Sequence, residues 1–188
     1  MQLVLASSSP RRRALLSVLT SEFICREPDL DESAFAGESV CNYVMRLAGE
    51  KARSVSDTDC LSLGADTVVV VDGDILGKPA DRRQGRAMLR RLSGRSHEVY
   101  TAIVTWNGLE AISKLVCTEV TMIELSSSLI EAYLDTDEPW DKAGAYAIQG
   151  MAGSFIPTIK GSYSGVVGLP LCETRELLQA SGLTLTRD

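Results

Sequence analysis

A cluster of three arginines at the predicted start of a helix is a strong chemical signal near the beginning of the chain. Residues 7–10 are Ser-Ser-Ser-Pro, and residues 11–13 are all arginine. Ser9 is a favourable N-cap and Pro10 suits the first helical position, which places the arginines in the first turn. Each cation at that positive end of the helix dipole costs about 0.3–1 kcal/mol. A bound phosphate would offset this cost, because N–H groups, hydroxyls and guanidinium groups would converge on it; the alternative is three solvated arginines.

Two further charges lie where apolar residues are expected. Asp66 interrupts the apolar residues 61–71, which are predicted to form a central strand. A buried carboxylate needs a cation, a water molecule or a ligand, so Asp66 is either a satisfied structural residue or part of a site. Lys51 falls on the apolar stripe of an amphipathic helix predicted over residues 39–56. It either extends to solvent near the helix end or reaches a cleft that holds an anion.

Two loop segments contain side chains suited to ligand binding. Residues 27–33 form an acidic loop that includes Glu32. The loop is either solvated or a hard-cation site, because Mg²⁺ is held by one or two carboxylates together with substrate phosphates. Gln149 lies in residues 141–150, a segment of small residues predicted to be loop and strand close to a ligand. Its amide offers both a donor and an acceptor, which makes it a candidate for base recognition.

The composition is that of a globular chain with an acidic net charge. The 188 residues, 45% of them hydrophobic, suffice for one substantial core or for a core split into two lobes by a cleft. The net charge of −6 argues against nucleic-acid and membrane-surface binding, which need extended positive potential. Five cysteines without a C-x-x-C motif fit a reducing cytosol better than a disulfide framework or a structural zinc site. The apolar runs are too short for a signal peptide or a transmembrane helix.

Strand and helix patterns alternate along the chain. Besides the elements above, the sequence predicts strands at residues 3–6, 23–25, 99–106 and 115–125, and a hairpin that returns through residues 75–76. Asp81 and either Ser126 or Ser127 are predicted helix caps, and the last helix is predicted between Pro170 and Gly182. His97, the only histidine, is expected to have a surface or structural role rather than a catalytic one.

Several motifs in order along nearly the whole chain resemble those of the Maf nucleotide pyrophosphatases. They are Leu-Ala-Ser-Ser-Ser-Pro-Arg-Arg-Arg-Ala-Leu-Leu from residue 5, Glu50-Lys51-Ala52, Gly64-Ala-Asp-Thr67, Ile75-Leu-Gly-Lys78-Pro79, Asp141-Lys-Ala-Gly-Ala-Tyr146, Ile148-Gln149-Gly150 and Val166-Val-Gly-Leu-Pro170. The resemblance implies a single domain over residues 1–188 with the Maf and ITPase-like α/β fold. That fold is an elongated mixed sheet flanked by helices, with two lobes around a central cleft. It also implies a homodimer, and the composition described above predicts a cytoplasmic protein that binds neither nucleic acid nor membranes.

The resemblance also implies an activity and the residues that perform it. The expected reaction is hydrolysis of a nucleoside triphosphate to the monophosphate and pyrophosphate, in a house-cleaning role, with a divalent metal such as Mg²⁺, Mn²⁺ or Co²⁺. The motifs are most similar to the branch that acts on dTTP and UTP. The implied roles are Asp66 as proton acceptor, Arg11, Thr67 and Gln149 as specificity positions, Ser7, Arg12, Lys51 and Lys78 as phosphate contacts, and Glu32 with Asp66 as metal ligands.

Two other functions are consistent with the same motifs. One is a nucleotide-binding regulator of septum formation without significant turnover. The other is a pyrophosphatase for another modified nucleotide, such as 7-methyl-GTP. A phosphotransferase is disfavoured, because the sequence has no G-x-x-x-x-G-K-[ST] loop and no kinase signature.

Overall fold

The computed structural model describes residues 1–185, which form seven strands, six α-helices and two short 3-10 helices. The strands are β1 (Gln2–Ala6), β2 (Phe23–Arg26), β3 (Cys60–Val71), β4 (Asp74–Leu76), β5 (Ser96–Trp106), β6 (Ala111–Thr121) and β7 (Thr158–Lys160). The α-helices are α1 (Pro10–Leu19), α2 (Val40–Ser54), α3 (Arg82–Leu92), α4 (Ser127–Leu134), α5 (Tyr163–Val167) and α6 (Leu171–Ala180). The 3-10 helices are Ala143–Ala145 and Met151–Phe155. In this part of the chain, no helix is long and apolar enough to cross a membrane.

All seven strands belong to one mixed sheet. Its order is β2-β1-β3-β5-β6-β7, and β4 pairs with β3 outside this path. β1 is parallel to both β2 and β3, because helical connections return the chain to the same end of the sheet. The β3–β4 and β6–β7 pairs are antiparallel. The predicted α/β fold with a mixed sheet flanked by helices is therefore confirmed.

The chain divides into two compact units, and each has its own apolar core. The first unit comprises Met1–Asp66, Thr101–Val116 and the residues that follow from Gly168, and the second comprises Thr67–Tyr100 and Cys117–Val167. Leucines of β1, α1, β3 and α6 fill the first core. Residues of β3, α3, β5, α4 and the second 3-10 helix fill the other. Two units match the two predicted lobes, while the cleft stays a prediction.

The helix caps are those that the sequence predicts. Ser9 accepts a hydrogen bond from the Arg12 N–H at 3.4 Å, Asp81 from the Gln84 N–H and Ser126 from the Leu129 N–H. Each cap satisfies an N–H that the helix itself leaves without a partner. These local signals work because a cap depends on residues only three positions apart.

Three details differ from expectation or extend it. The strand predicted over residues 115–125 is shifted, since β6 begins at Ala111 and ends at Thr121. Residues 141–150 contain no strand; positive φ angles at Gly144 and Ala145 bend the backbone within the short 3-10 segment Ala143–Ala145. His97 was expected to have a surface or a structural role, and the structure gives it the structural one. It is buried, and its Nε2 lies 2.7 Å from the Tyr146 hydroxyl.

A close backbone contact between α2 and β3 sets the geometry of the first unit. A Cβ atom on Gly64 would overlap the carbonyl oxygen of Ala48 and lie 2.6 Å from the backbone nitrogen of Ala52. Only glycine therefore lets the helix approach the strand so closely. Lys51 shares the helix face of Ala48 and Ala52, and Asp66 shares the strand face of Gly64. The contact thus places a lysine and an aspartate opposite each other.

We expect Gly64→Ala to destabilise the protein strongly, because the added methyl group meets backbone atoms that cannot rotate away. Overpacking of this kind costs about 1–3 kcal/mol or more. Urea unfolding followed by circular dichroism measures the effect. Gly77→Ala is the matched control, since a Cβ there has no atom within 4 Å and needs no positive φ. Equal unfolding midpoints for the two variants would contradict the close contact.

Candidate active site

A buried lysine joins two carboxylates in the first unit. Lys51 Nζ lies 2.7 Å from Asp66 Oδ1 and 2.7 Å from Glu32 Oε1. The side chains of Lys51 and Asp66 are only 7% and 9% exposed, whereas that of Glu32 is 56% exposed. The interpretation in which Lys51 extends to solvent is therefore wrong, because the ammonium turns inward to acidic partners. Asp66 has the cation that a carboxylate in an apolar strand requires.

The environment of Asp66 favours proton uptake more than that of an ordinary aspartate. Burial raises the pKa of Asp66, the cations Lys51 and Arg12 partly offset this rise, and the Glu32 carboxylate adds to it. Desolvation penalises the charged form, and for this buried group it outweighs the attraction of two cations. A carboxylate whose pKa lies above its usual value is a better general base near neutral pH.

Arg12 is held at the N-terminus of α1 rather than left in solvent. Its Nε donates a hydrogen bond to the Gly168 carbonyl at 2.9 Å. Burial lowers the pKa of Arg12, and the Asp66 carboxylate acts in the opposite direction. Ser7 is buried and accepts a hydrogen bond from the Ser9 N–H at 3.1 Å, which tightens the loop before the helix. Of the neighbouring arginines, Arg11 is half-buried and Arg13 is exposed, so the solvated alternative fits only the last of the three.

The acidic loop is attached to α2 by residues that the sequence analysis did not identify. The Tyr43 hydroxyl donates to the Glu32 carbonyl at 2.9 Å, and Arg46 Nη2 donates to the Ser33 carbonyl at 3.1 Å. Arg46 also forms two hydrogen bonds of 2.7 Å with the carboxylate of Glu38. The three-residue spacing of Tyr43 and Arg46 predicts one helix face, but no sequence signal shows that the loop folds back onto it.

The carboxylates of Asp66 and Glu32 are suitable ligands for a divalent cation. Both present hard oxygen atoms, and both meet at the ammonium group of Lys51. Within residues 1–185 no group of three or more histidine, cysteine or acidic side chains is arranged to hold a metal. Mg²⁺ does not need such a group, because it is commonly held by one or two carboxylates and by substrate phosphates. The two carboxylates therefore fit the predicted metal.

The remaining predicted site residues belong to the second unit. Thr67 follows Asp66 in β3 and is half-buried, Lys78 is exposed after β4, and Gln149 is exposed in a turn. The Gly144 N–H donates to the Gly77 carbonyl at 3.1 Å, which joins the loop before Lys78 to the segment before Gln149. The structure thus groups Glu32, Arg12, Lys51 and Asp66 in the first unit. The functional roles of all these residues stay predictions.

Comparison with known protein families shows to which family the chain belongs. The sequence model described as Maf-like protein matches residues 2–181. The chain belongs to the Maf-like family. The resemblance predicted from the motifs is confirmed.

Curated relatives from several bacteria match the Maf-like chain over nearly its full length. A protein of Hahella chejuensis named dTTP/UTP pyrophosphatase is 50% identical over 194 residues, with 100% of this chain and 96% of the relative covered. A Pseudoalteromonas atlantica protein of the same name is 49% identical, with 96% and 97% covered. Another so named, from Anaeromyxobacter dehalogenans, is 48% identical, with 98% and 96% covered. Identity at this level along whole chains makes them close relatives.

A solved structure supports the fold independently of the sequence. The structure of the Staphylococcus aureus Ham1 protein has a TM-score of 0.52 to the Maf-like chain and covers 96% of this chain and 100% of its own. The two sequences are only 11% identical, so the likeness concerns the fold alone. It agrees with the mixed sheet and flanking helices.

We expect Lys51→Met to destabilise the Maf-like chain by about 3 kcal/mol at pH 7, because removing one partner leaves the Asp66 carboxylate buried without its nearest cation. The loss should shrink at low pH, where Asp66 becomes neutral. Urea unfolding at pH 7 and at pH 4 measures both effects. Lys160→Met is the control, since its ion pair with Glu119 is exposed and its loss should matter little. Unchanged stability of Lys51→Met at pH 7 would contradict the buried pair.

Proposed function

We propose that the Maf-like chain hydrolyses dTTP and UTP to dTMP and UMP with release of pyrophosphate. The observation that supports this most is the buried Lys51–Asp66 pair beside Arg12, in a chain about half identical to proteins named dTTP/UTP pyrophosphatase. A buried acid with two nearby cations suits water attack on a phosphoanhydride, which needs a base and neutralisation of phosphate charge. The homodimer stays a prediction of the family resemblance, and the cytoplasmic location stays a prediction of the composition.

Asp66 is the proposed general base. A water molecule forms a bond from its oxygen to phosphorus of the α–β anhydride, and its proton passes to the Asp66 carboxylate. The bond between the attacked phosphorus and the bridging oxygen breaks. The bridging oxygen stays on the phosphorus that water did not attack, which gives the monophosphate and pyrophosphate. In the metal-free site burial raises the pKa of Asp66, so its carboxylate takes up a proton more readily than an ordinary aspartate does.

Cationic groups of the first unit are the proposed phosphate contacts. An ammonium group has three N–H donors, and Lys51 directs two of them to Asp66 and Glu32. The third is available for a phosphate oxygen. Arg12 and the N–H groups at the start of α1 provide further donors, with Ser7 in the same loop. Lys78 of the second unit is proposed as an additional contact.

A divalent cation is part of the proposal, with Mg²⁺ first and Mn²⁺ or Co²⁺ as alternatives. The carboxylates of Asp66 and Glu32 would hold it, since both are hard oxygen ligands joined to one lysine. When bound, the ion would neutralise negative charge on the phosphate oxygens. Tyr43 and Arg46 support this arrangement by fixing the backbone of the acidic loop at Glu32 and Ser33.

Base recognition is proposed for Gln149, together with Thr67 and Arg11 as specificity positions. Uracil and thymine present an N–H next to a carbonyl group, and one glutamine amide can pair with both. A site that depends on such hydrogen bonds rejects a base that leaves its polar groups unpaired, by up to about 10⁴-fold. Gln149 is exposed, so its amide is accessible to a ligand.

We expect UTP and dTTP to be hydrolysed with kcat/KM at least about 100-fold above those of GTP, ATP and 7-methyl-GTP. Adenine has no N–H beside a carbonyl group, and guanine presents one only at the edge of a larger ring, further from the sugar than an amide placed for uracil. Separate assays of pyrophosphate and orthophosphate over the panel, with and without EDTA, measure substrate, product and metal dependence. Purine preference would refute the pyrimidine assignment. Saturable nucleotide binding without turnover would refute the enzyme and favour the regulator.

A further inference from the structure

Gln149 occupies the tip of a tight turn in the second unit. The Gly150 N–H donates to the Ala147 carbonyl at 3.0 Å, which closes a four-residue turn over residues 147–150. A single hydrogen bond of this kind does little to fix a turn in water. The position of the Gln149 amide therefore depends on what holds the two ends of the turn.

Each end of the turn is bound by a side chain from outside it. The Ala147 N–H, two residues before Gln149, donates to the Tyr133 hydroxyl at 3.0 Å. The Met151 N–H, two residues after it, donates to Glu138 Oε1 at 2.8 Å. The two acceptors thus fix the backbone symmetrically on either side of Gln149.

Tyr133 is a rigid anchor because it is embedded in the core of the second unit. It is fully buried in α4, and its ring meets the edge of Phe155 at a centroid distance of 5.4 Å. Burial raises its pKa, so the hydroxyl stays protonated. The adjacent residue of the turn segment, Tyr146, is held as well, through the hydrogen bond of its hydroxyl to His97.

Glu138 packs directly beneath the turn. A Cβ atom on Gly150 would overlap the carboxylate group of Glu138, so a larger residue at this position would displace that side chain. The second carboxylate oxygen, Oε2, is buried and has no hydrogen-bond partner among the described residues. Burial raises the pKa of the Tyr133 hydroxyl, and the Glu138 carboxylate adds to that rise, so the two anchors also interact with each other.

We propose that Tyr133 and Glu138 are positioning residues that hold the Gln149 amide for the pyrimidine base. The inference rests on the proposed function, because it takes Gln149 as the residue that meets the base. Neither side chain acts on the phosphates. Their effect is on the preference for the pyrimidine and on KM, since a misplaced amide loses its hydrogen bonds to the pyrimidine. The proton acceptor, Asp66, is unchanged.

Three substitutions test the two anchors separately. Tyr133→Phe keeps the ring packing and removes the hydroxyl, which accepts from the Ala147 N–H and interacts with the Glu138 carboxylate. Glu138→Ala removes the acceptor of the Met151 N–H, and Glu138→Gln keeps a carbonyl acceptor at the same reach. Asp137→Asn is the matched control, because it neutralises the exposed neighbouring carboxylate. Gln149→Ala is the reference for loss of the amide itself.

We expect Tyr133→Phe and Glu138→Ala each to lower the ratio of kcat/KM for UTP to that for CTP or GTP about tenfold, the equivalent of one hydrogen bond. The change should appear in KM for UTP, with kcat within about twofold of wild type. Glu138→Gln should restore the ratio, and Asp137→Asn should keep it. Tyr133→Phe decides the question if Glu138→Ala fails to fold, because it preserves the volume of the core.

The outcomes separate this inference from the proposed function. Wild-type protein that does not hydrolyse UTP or dTTP overturns the proposed function and, with it, the role of the anchors. If wild type prefers UTP and Gln149→Ala loses that preference, but Tyr133→Phe and Glu138→Ala keep it, only the anchors are refuted. If Gln149→Ala itself keeps the preference, the anchors are refuted as well.

Discussion

The buried ion pair of Lys51 and Asp66 is the interaction on which the first unit depends. Burying two charges costs several kcal/mol for each ion, which good geometry and additional hydrogen bonds must offset. The 2.7 Å contact is available because α2 lies directly on β3 at Gly64. A methyl group at that position would push the helix away and leave both charges poorly paired. The close packing of α2 on β3 is therefore required for the pairing of the two buried charges.

The same constraint explains the position of the surrounding charges. Lys51 also binds Glu32, and the acidic loop is kept at that lysine by hydrogen bonds from Tyr43 and Arg46. Arg12 contributes a second cation, which acts on the pKa of Asp66 without cancelling the effect of burial. An arrangement chosen for stability alone would have apolar residues here, because a buried ion pair is seldom more stabilising than a hydrophobic replacement. We propose that these charges are kept for a nucleotide and its divalent cation.

Local signals were sufficient for most of the fold and for the identity of the central acid. The Ser9 cap, the apolar strand around Asp66 and the amphipathic helix with Lys51 are visible in spacing alone. The choice between a solvated and a buried Lys51 was not visible, because it depends on how closely a helix approaches a strand. The anchors of the Gln149 turn, Tyr133 and Glu138, could not be found from sequence either. Their partners are backbone N–H groups 13 or 14 residues away, and no local pattern shows such a pairing.

The pH dependence of UTP hydrolysis tests the central claim, that buried Asp66 is the base, most directly. Asp66 must be deprotonated to accept a proton, so kcat/KM should fall as the pH is lowered through its pKa. Burial raises that pKa in the metal-free site, so at subsaturating metal the fall should begin above the usual aspartate value of about 3.9. Asp66→Asn should lose about 10²–10⁴-fold in rate, and its residual rate should lack the Asp66 limb, while the ionisation of UTP affects both proteins. A ratio of the wild-type to the Asp66→Asn rate that stays constant down to about pH 4, or a folded Asp66→Asn variant with the wild-type rate, would contradict the account.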